Sequence, residues 1–299
     1  MKPRIRLAPL CVLLAGFLLA TFSIATGEES LEYLRIGIVA DVHAHDVDSP
    51  AEGKFMVSYP ERLSAFVDAM NAWPADFVIE LGDFVNGWLV LGAPLGDPGR
   101  IPCILEEADK IYAGFNGPRY HVIGNHDVYN LTKEQYVECL GMQGTYYSFD
   151  TKSYHIVALD VQFDEKGNDL ANTYTGVSGF VPTSELAWLR ADLSSTDKPT
   201  VVCVHQMLDL SVEEWGRSLV ANAQEVRDIL AKSGVVIAVF QGHDHDNGHS
   251  FIDGVHYVTF EALVDQRTPS SWAMVTLDPV ARTIVIEGEG EQADWQFEY

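Results

Sequence analysis

The sequence predicts an α/β domain whose central strands are covered on both faces, and three observations lead there. Short apolar runs rich in Val, Ile and Phe alternate with segments of helical periodicity, the pattern of strands sandwiched between helices. No internal repeat, low-complexity tract or Pro/Ser-rich linker divides the chain. Five of the apolar runs, moreover, stop at Asp, Asn or His.

Leu34 to Ala40 reads as the first strand, with Asp41-Val42-His43 at its exit. Residues two apart in extended chain point the same way, so Asp41 and His43 are expected on one side. His45 continues that parity into a loop and reads as a supporting or solvated surface histidine. Ser58-Tyr59-Pro60 opens a helix with Leu63, Phe66, Val67, Met70 and Trp73 as its buried stripe. Phe77 to Leu81 is a second strand, ending in Gly82-Asp83. A Gly/Pro-rich stretch from Asn86 to Pro102 then leads to a helix around Ile104 to Phe115. Tyr120 to Ile123 is a third strand, and it delivers Gly124-Asn125-His126-Asp127 in one step.

Thr132-Lys133-Glu134-Gln135 is a capping-box start for a helix reaching Leu140. Tyr146 to Phe149 and Tyr154 to Leu159 pair around a turn, and a polar loop follows from Gln162 to Gly179. A helix from Thr183 or Ser184 buries Leu186, Leu189 and Leu193, with Trp188 as packing. Thr200 to Val204 is a strand ending at His205. Leu219 to Lys232 is an amphipathic helix stopped by Gly234. Val235 to Phe240 is a strand followed by Gly242-His243-Asp244-His245, where the two-apart spacing returns. The remainder is β: a hairpin turning at Asp253-Gly254 and another from Trp272 to Glu287.

The N-terminus carries a different signal. Lys2, Arg4 and Arg6 precede an apolar run from Leu7 to Ala25, with Ser23 and Ala25 offering small residues for cleavage. Residues 1–25 are therefore expected to be an export signal peptide, the alternative being an uncleaved anchor helix. An exported product would be periplasmic or extracellular, and would meet a membrane only through an uncleaved leader. Cleavage leaves 274 of the 299 residues as a single domain, 26–299, and takes the formal charge from −24 to −27. So acidic a surface speaks against non-specific nucleic-acid binding, which needs basic patches. An anionic substrate would need local positive charge, which metal ions supply. Cys103, Cys139 and Cys203 remain, an odd number that makes no disulfide framework. Cys203 reads as a buried small hydrophobe, and a Cys103–Cys139 bridge is open in an oxidising compartment.

In sheets of this class ligands bind at the carboxyl ends of the strands. There the chain places Asp41 and His43, Asp83, Asn125 and His126, His205, and His243 with His245. His121, His155 and His256 lie inside strands and read as structural, while His249 has no pattern of its own. Carboxylate, imidazole and amide oxygen together suit Mn, Fe or Zn, not a thiolate site or a calcium cage. The candidates are too many for one ion and suffice for two. A carboxylate such as Asp83 could bridge the pair, and a hydroxide shared between two ions could attack phosphorus in line.

The ordered series Asp-x-His, Gly-Asp, Gly-Asn-His-Asp, His, Gly-His-x-His, from Asp41 to His245, resembles the calcineurin-like metallophosphoesterases. The resemblance implies a four-layer α/β/β/α sandwich and two divalent or trivalent metal ions. It implies Asp41, His43 and His245 on the first ion, Asn125, His205 and His243 on the second, and Asp83 bridging. His126 would protonate the leaving group or stabilise the transition state, oriented by Asp127. Asn86 stands where purple acid phosphatases place a tyrosine iron ligand, which disfavours that subclass. The stretches from Gly124 to Asn130, Gly179-Phe180 with Leu186 to Leu189, and Gly242 to Gly248 are similar to the manganese-dependent ADP-ribose/CDP-alcohol diphosphatases. Those enzymes carry Gln where this chain has His43, and they lack an export signal.

The expected activity is hydrolysis of a phosphoric ester or a nucleoside-diphosphate-type bond in a small molecule, with phosphodiesterase or diphosphatase action first. A phosphomonoesterase, or a non-catalytic binding module on the same fold, is the alternative. Tyr129, Phe163, Tyr174 and Phe180 could stack a base from the loops 84–102 and 161–182.

Overall fold

The computed structural model describes residues 32–50, 53–87, 89–90, 93–94, 96–170, 179–209, 220–265 and 270–299. The predicted leader, residues 1–25, and Tyr174 lie outside them. Among the described residues no helix is long and apolar enough to cross a membrane.

In chain order the first half holds β1 (Leu34–Val39), α1 (Tyr59–Ala72), β2 (Phe77–Glu80), a short ribbon of β3 (Leu89–Val90) and β4 (Ala93–Pro94), α2 (Ile101–Tyr112) and β5 (Arg119–His121). Next come α3 (Lys133–Leu140), β6 (Tyr147–Thr151), β7 (Tyr154–Ala158), α4 (Thr183–Ser194), β8 (Thr200–Val204), α5 (Ala223–Ser233) and β9 (Val236–Gln241). The chain closes with β10 (Gly248–Ile252), β11 (Val255–Thr259), β12 (Trp272–Asp278), β13 (Thr283–Glu289) and β14 (Trp295–Glu298).

These strands form two six-stranded sheets, ordered β14-β13-β12-β1-β2-β5 and β10-β11-β9-β8-β7-β6. In the first, β1, β2 and β5 run parallel. In the second, β7, β8 and β9 do the same. Side-chain alternation divides the core into layers. Ile36, Ile38 and Ile79 of the first sheet meet Ala158, Val201, Cys203 and Phe240 of the second. The opposite face of the first sheet, with Val39 and Val78, is covered by Leu63, Phe66 and Met70 of α1 and Ile104 and Leu105 of α2. Val157, Val202 and Val239 of the second sheet are covered by Leu186 and Leu189 of α4 and Val226 and Leu230 of α5. The result is the four-layer α/β/β/α sandwich.

Local signals behave as their chemistry requires. Thr132 caps α3 reciprocally: its side chain accepts from the Gln135 N–H, and the Gln135 side chain accepts from the Thr132 N–H. Gly234 ends α5 in the left-handed region at φ 70°. Two expectations need correction. The third strand is shorter than its apolar run, because pairing with β2 ends at His121 while Val122 and Ile123 stay buried beyond it. Strand β14 went unread, since Trp-Gln-Phe-Glu is a short, partly exposed edge strand without a buried apolar run. Cys103, Cys139 and Cys203 are all free thiols.

Candidate metal centre

Every expected ligand emerges where a parallel strand ends. Asp41 and His43 follow β1, Asp83 follows β2, and Asn125 and His126 follow β5; His205 follows β8, and His243 and His245 follow β9. Asn125 apart, they fall into overlapping clusters: Asp41, His43 and His245; His43, Asp83 and His126; Asp83, His205 and His243. His43 and Asp83 each belong to two of these, and of the two only the carboxylate has two oxygens with which to bridge.

The convergence does not come from strand parity. Asp41 (φ 51°), His43 (46°), Asp83 (58°), His243 (73°) and His245 (66°) all take left-handed backbone, so the chain coils at each exit instead of running on extended. This region costs a residue with a Cβ roughly 1–2 kcal/mol, although Asp and His tolerate it better than most. The coils are pinned across the exits: the Asp41 and His43 N–H groups donate to the Gly82 and Asp83 carbonyls, and the Gly242 N–H to that of His205. Two glycines leave room for the carboxylates. A Cβ on Gly124 would stand 2.3 Å from Asp83 Oδ1, and one on Gly242 would stand 2.6 Å from Asp41 Oδ2.

One nitrogen of each orienting ring is committed and the other faces inward. His43 Nδ1 is 2.8 Å from Asn86 Oδ1, and His205 Nδ1 is 2.8 Å from the Leu81 carbonyl. Both therefore present Nε2 to the centre, as a metal-bound histidine does when its other nitrogen is held by an oxygen acceptor. His43 Nε2 stands 3.1 Å from His245 Nε2, and His205 Nε2 stands 3.2 Å from His243 Nδ1. Two nitrogens held at about 2.1 Å by one ion at an octahedral or tetrahedral angle lie about 3.0–3.4 Å apart. Asp83 Oδ2 lies 3.2 Å from His205 Nε2 and 3.6 Å from His43 Nε2, between the two nitrogen pairs. Asn125 donates its Nδ2 to Tyr129 Oη at 2.8 Å, which leaves Oδ1 buried without a partner. Asp41 Oδ1 is likewise buried without a hydrogen bond, with His245 Nε2 3.4 Å away. Buried acceptors are seldom left so, and these residues fit two cations.

Charge within the cluster is uneven. Burial alone would depress His205, but the Asp83 carboxylate outweighs it and pushes the imidazole up to about 9. Burial pushes His43 down to about 4, helped by the Lys54 ammonium, and His243 to about 3, helped by His205. Burial also holds His126 well below the ordinary imidazole range, against the pull of Asp83.

Two sequence expectations change. Asp127 does not orient His126. Its carboxylate accepts from the backbone N–H of Asp83, Val85 and Gly124, stapling the second and third exits together. His126 Nδ1 has no hydrogen-bond partner. The GNHD pattern suggested a dyad because adjacency in sequence looks like contact, whereas the tight turn sends the two side chains apart. His45 is buried, not solvated, with Nδ1 accepting from the Val47 N–H. The structural histidines stand apart from the centre: His155 bridges Asp150 and Asp192, and His249 pairs with His256 at 3.1 Å. Asn86 as a ligand orienter gave no sequence signal beyond its polarity at a strand exit, and Lys54 gave none.

The profile of the calcineurin-like phosphoesterase family matches residues 34–247, from the first strand through the last ligand motif. The chain belongs to this family. As a calcineurin-like phosphoesterase it is a metal-dependent phosphohydrolase. It is 27% identical to a manganese-dependent ADP-ribose/CDP-alcohol diphosphatase of Arabidopsis thaliana, across 88% of this chain and 96% of the relative. Among solved structures it shares its fold with a dimetal phosphatase from Danio rerio, at 19% identity and TM-score 0.72, covering 89% of this chain and 99% of the other. A second structural neighbour on this fold is GAP50, described as the anchor in the inner membrane complex of Plasmodium, at 13% identity and TM-score 0.59, covering 89% and 88%.

Proposed function

We propose that this phosphohydrolase is an exported, manganese-dependent diphosphatase or phosphodiesterase acting on a small nucleotide-type molecule such as ADP-ribose or a CDP-alcohol. The observation that carries the reading is the pair of facing imidazole nitrogens on either side of Asp83. Asp41, His43 and His245 would hold one ion, Asn125, His205 and His243 the other, with Asp83 between. Bound there, two such ions lower the pKa of water and neutralise phosphoryl oxygens. The full length of likeness to the manganese-dependent diphosphatases supports both the metal and the substrate class.

The chain's own groups have separable tasks. Asn86 and Leu81 fix the ring orientations of His43 and His205. Tyr129 fixes the amide of Asn125 so that its oxygen faces inward. His126 is half-buried beside Asp83, with Nε2 4.0 Å from Oδ2. Held neutral, its ring offers an N–H to a phosphoryl or leaving oxygen as a hydrogen-bond donor, a role suited to the transition state. Export is supported by the Lys2/Arg4/Arg6 start and the apolar run to Ala25.

The test is hydrolysis of ADP-ribose, bis-p-nitrophenyl phosphate and p-nitrophenyl phosphate by chelator-treated protein with Mn, Fe, Zn or Mg restored. Fastest turnover of ADP-ribose with Mn is expected. A preference for p-nitrophenyl phosphate would replace the reading by a phosphomonoesterase, and two bound ions without turnover would favour a binding module. Mass analysis of protein from the native host decides the leader, since cleavage after Ala25 predicts a chain beginning at Thr26.

A further inference from the structure

Lys54 belongs to none of the ligand motifs, yet its ammonium is inside the centre. Its Nζ lies 3.3 Å from His43 Nε2, the nitrogen turned toward the first ion's position. Its backbone is fixed there. Lys54 pairs with Ser49 on one side and Asp265 on the other. The neighbouring Phe55 N–H donates to the Val264 carbonyl, while the Val264 N–H donates to that of Asp41. The root of the side chain is thus tied to the same backbone that carries a ligand.

An ammonium and a metal ion cannot share the His43 lone pair, and their like charges repel. An ion held by His43 would displace the Lys54 head, while its backbone pairing would keep it beside the centre. Half-buried His126 stands beside the same His43 ring, the two imidazole centroids 4.6 Å apart. A diphosphate brings charge on two phosphoryl groups, and two ions centred on Asp83 serve the one being cleaved. The second needs a cation beside the pair, on a protein whose formal charge is −24.

We propose that Lys54 binds the uncleaved phosphoryl group of a diphosphate substrate, and so sets the preference for diphosphates over simple esters. The inference rests on the dimetal reading of the centre but not on any particular nucleotide. The test uses the Mn-loaded full chain with Lys54→Gln and Lys54→Arg. Metal analysis reads ion stoichiometry, and calorimetry at matched free Mn reads affinity for imidodiphosphate and for inorganic phosphate. Lys54→Gln is expected to keep two Mn, to weaken imidodiphosphate at least tenfold, and to change phosphate less than threefold. Lys54→Arg is expected to stay within threefold for both. Equal losses for the two anions, no loss for either, or departure of Mn from Lys54→Gln would each overturn the assignment. Because these are binding measurements, a failure to hydrolyse ADP-ribose would count against the substrate reading and leave the Lys54 result standing.

Discussion

His205 and His155 are both buried, both follow or occupy strands of the second sheet, and both lie near carboxylates, yet they are built for different ends. His155 spends both nitrogens, on Asp150 at 2.7 Å and Asp192 at 2.8 Å, and sits on regular backbone within β7. His205 spends one nitrogen on a carbonyl and turns the other toward Asp83 and a second imidazole. An open hydrogen bond is not by itself the mark of a ligand, since the buried Glu80 carboxylate and His121 Nδ1 also lack partners. What sets His205 apart is the convergence of its free nitrogen with His243 and Asp83 on one point.

That contrast is broken most completely at Asp83. Asp83→Ala should lower kcat about a thousandfold, roughly 4 kcal/mol, and reduce bound metal below two ions per chain. Full activity with two ions retained would remove it from the bridging position. Asn86→Ala leaves every ligand in place but frees the His43 ring. Loss of such an outer partner typically costs about 10- to 100-fold in metal affinity, to be read by metal titration. An affinity within twofold of the parent would show that His43 needs no orienting partner.

The pH response sharpens the same distinction. With its pKa raised to about 9, His205 carries a proton in the metal-free centre at neutral pH, and an incoming ion must displace it. Apparent Mn affinity should therefore rise with pH toward about 9, by up to about tenfold per unit, and flatten above. His43 and His243, held at about 4 and about 3, are already neutral and add no slope over that range. A flat profile from pH 6 to 8 would contradict the protonated His205. The smallest effect belongs to the structural pair. Lys198 and His155 hold Asp150 below the usual carboxylate range, so its contribution is present above that range and disappears as pH falls through the lowered value. Because Asp150 is mostly solvated, Asp150→Asn should cost under about 1 kcal/mol at pH 7 and nothing in strong acid, measured by urea denaturation.

The parts legible in sequence were those encoded one strand at a time. The apolar run followed by a ligand-type residue marked the seven candidate ligand positions at the strand exits and the α/β class. Contacts set by the turn itself were not legible. Nothing in Gly-Asn-His-Asp indicates that Asp127 points back to three amides while His126 points forward. Nor does Asp-x-His indicate that both residues coil left-handed, since alternation along an extended strand makes the same forecast of proximity for a different reason. Lys54 is silent in the sequence because a flanking loop, joined to the centre through Ser49 and Asp265, brings it in.

The two sheets contribute to the centre separately: Asp41, His43, Asp83 and Asn125 come from the first, His205, His243 and His245 from the second. Any ion held by both groups is a clasp joining the two halves of the sandwich at one rim. Its grip adds to the resistance of the whole molecule against unfolding, about 2.7 kcal/mol per ion at a hundredfold excess over its dissociation constant. Chelation should then lower Tm and speed proteolytic cutting at the strand exits. Durability would then follow the metal content of the protein's surroundings.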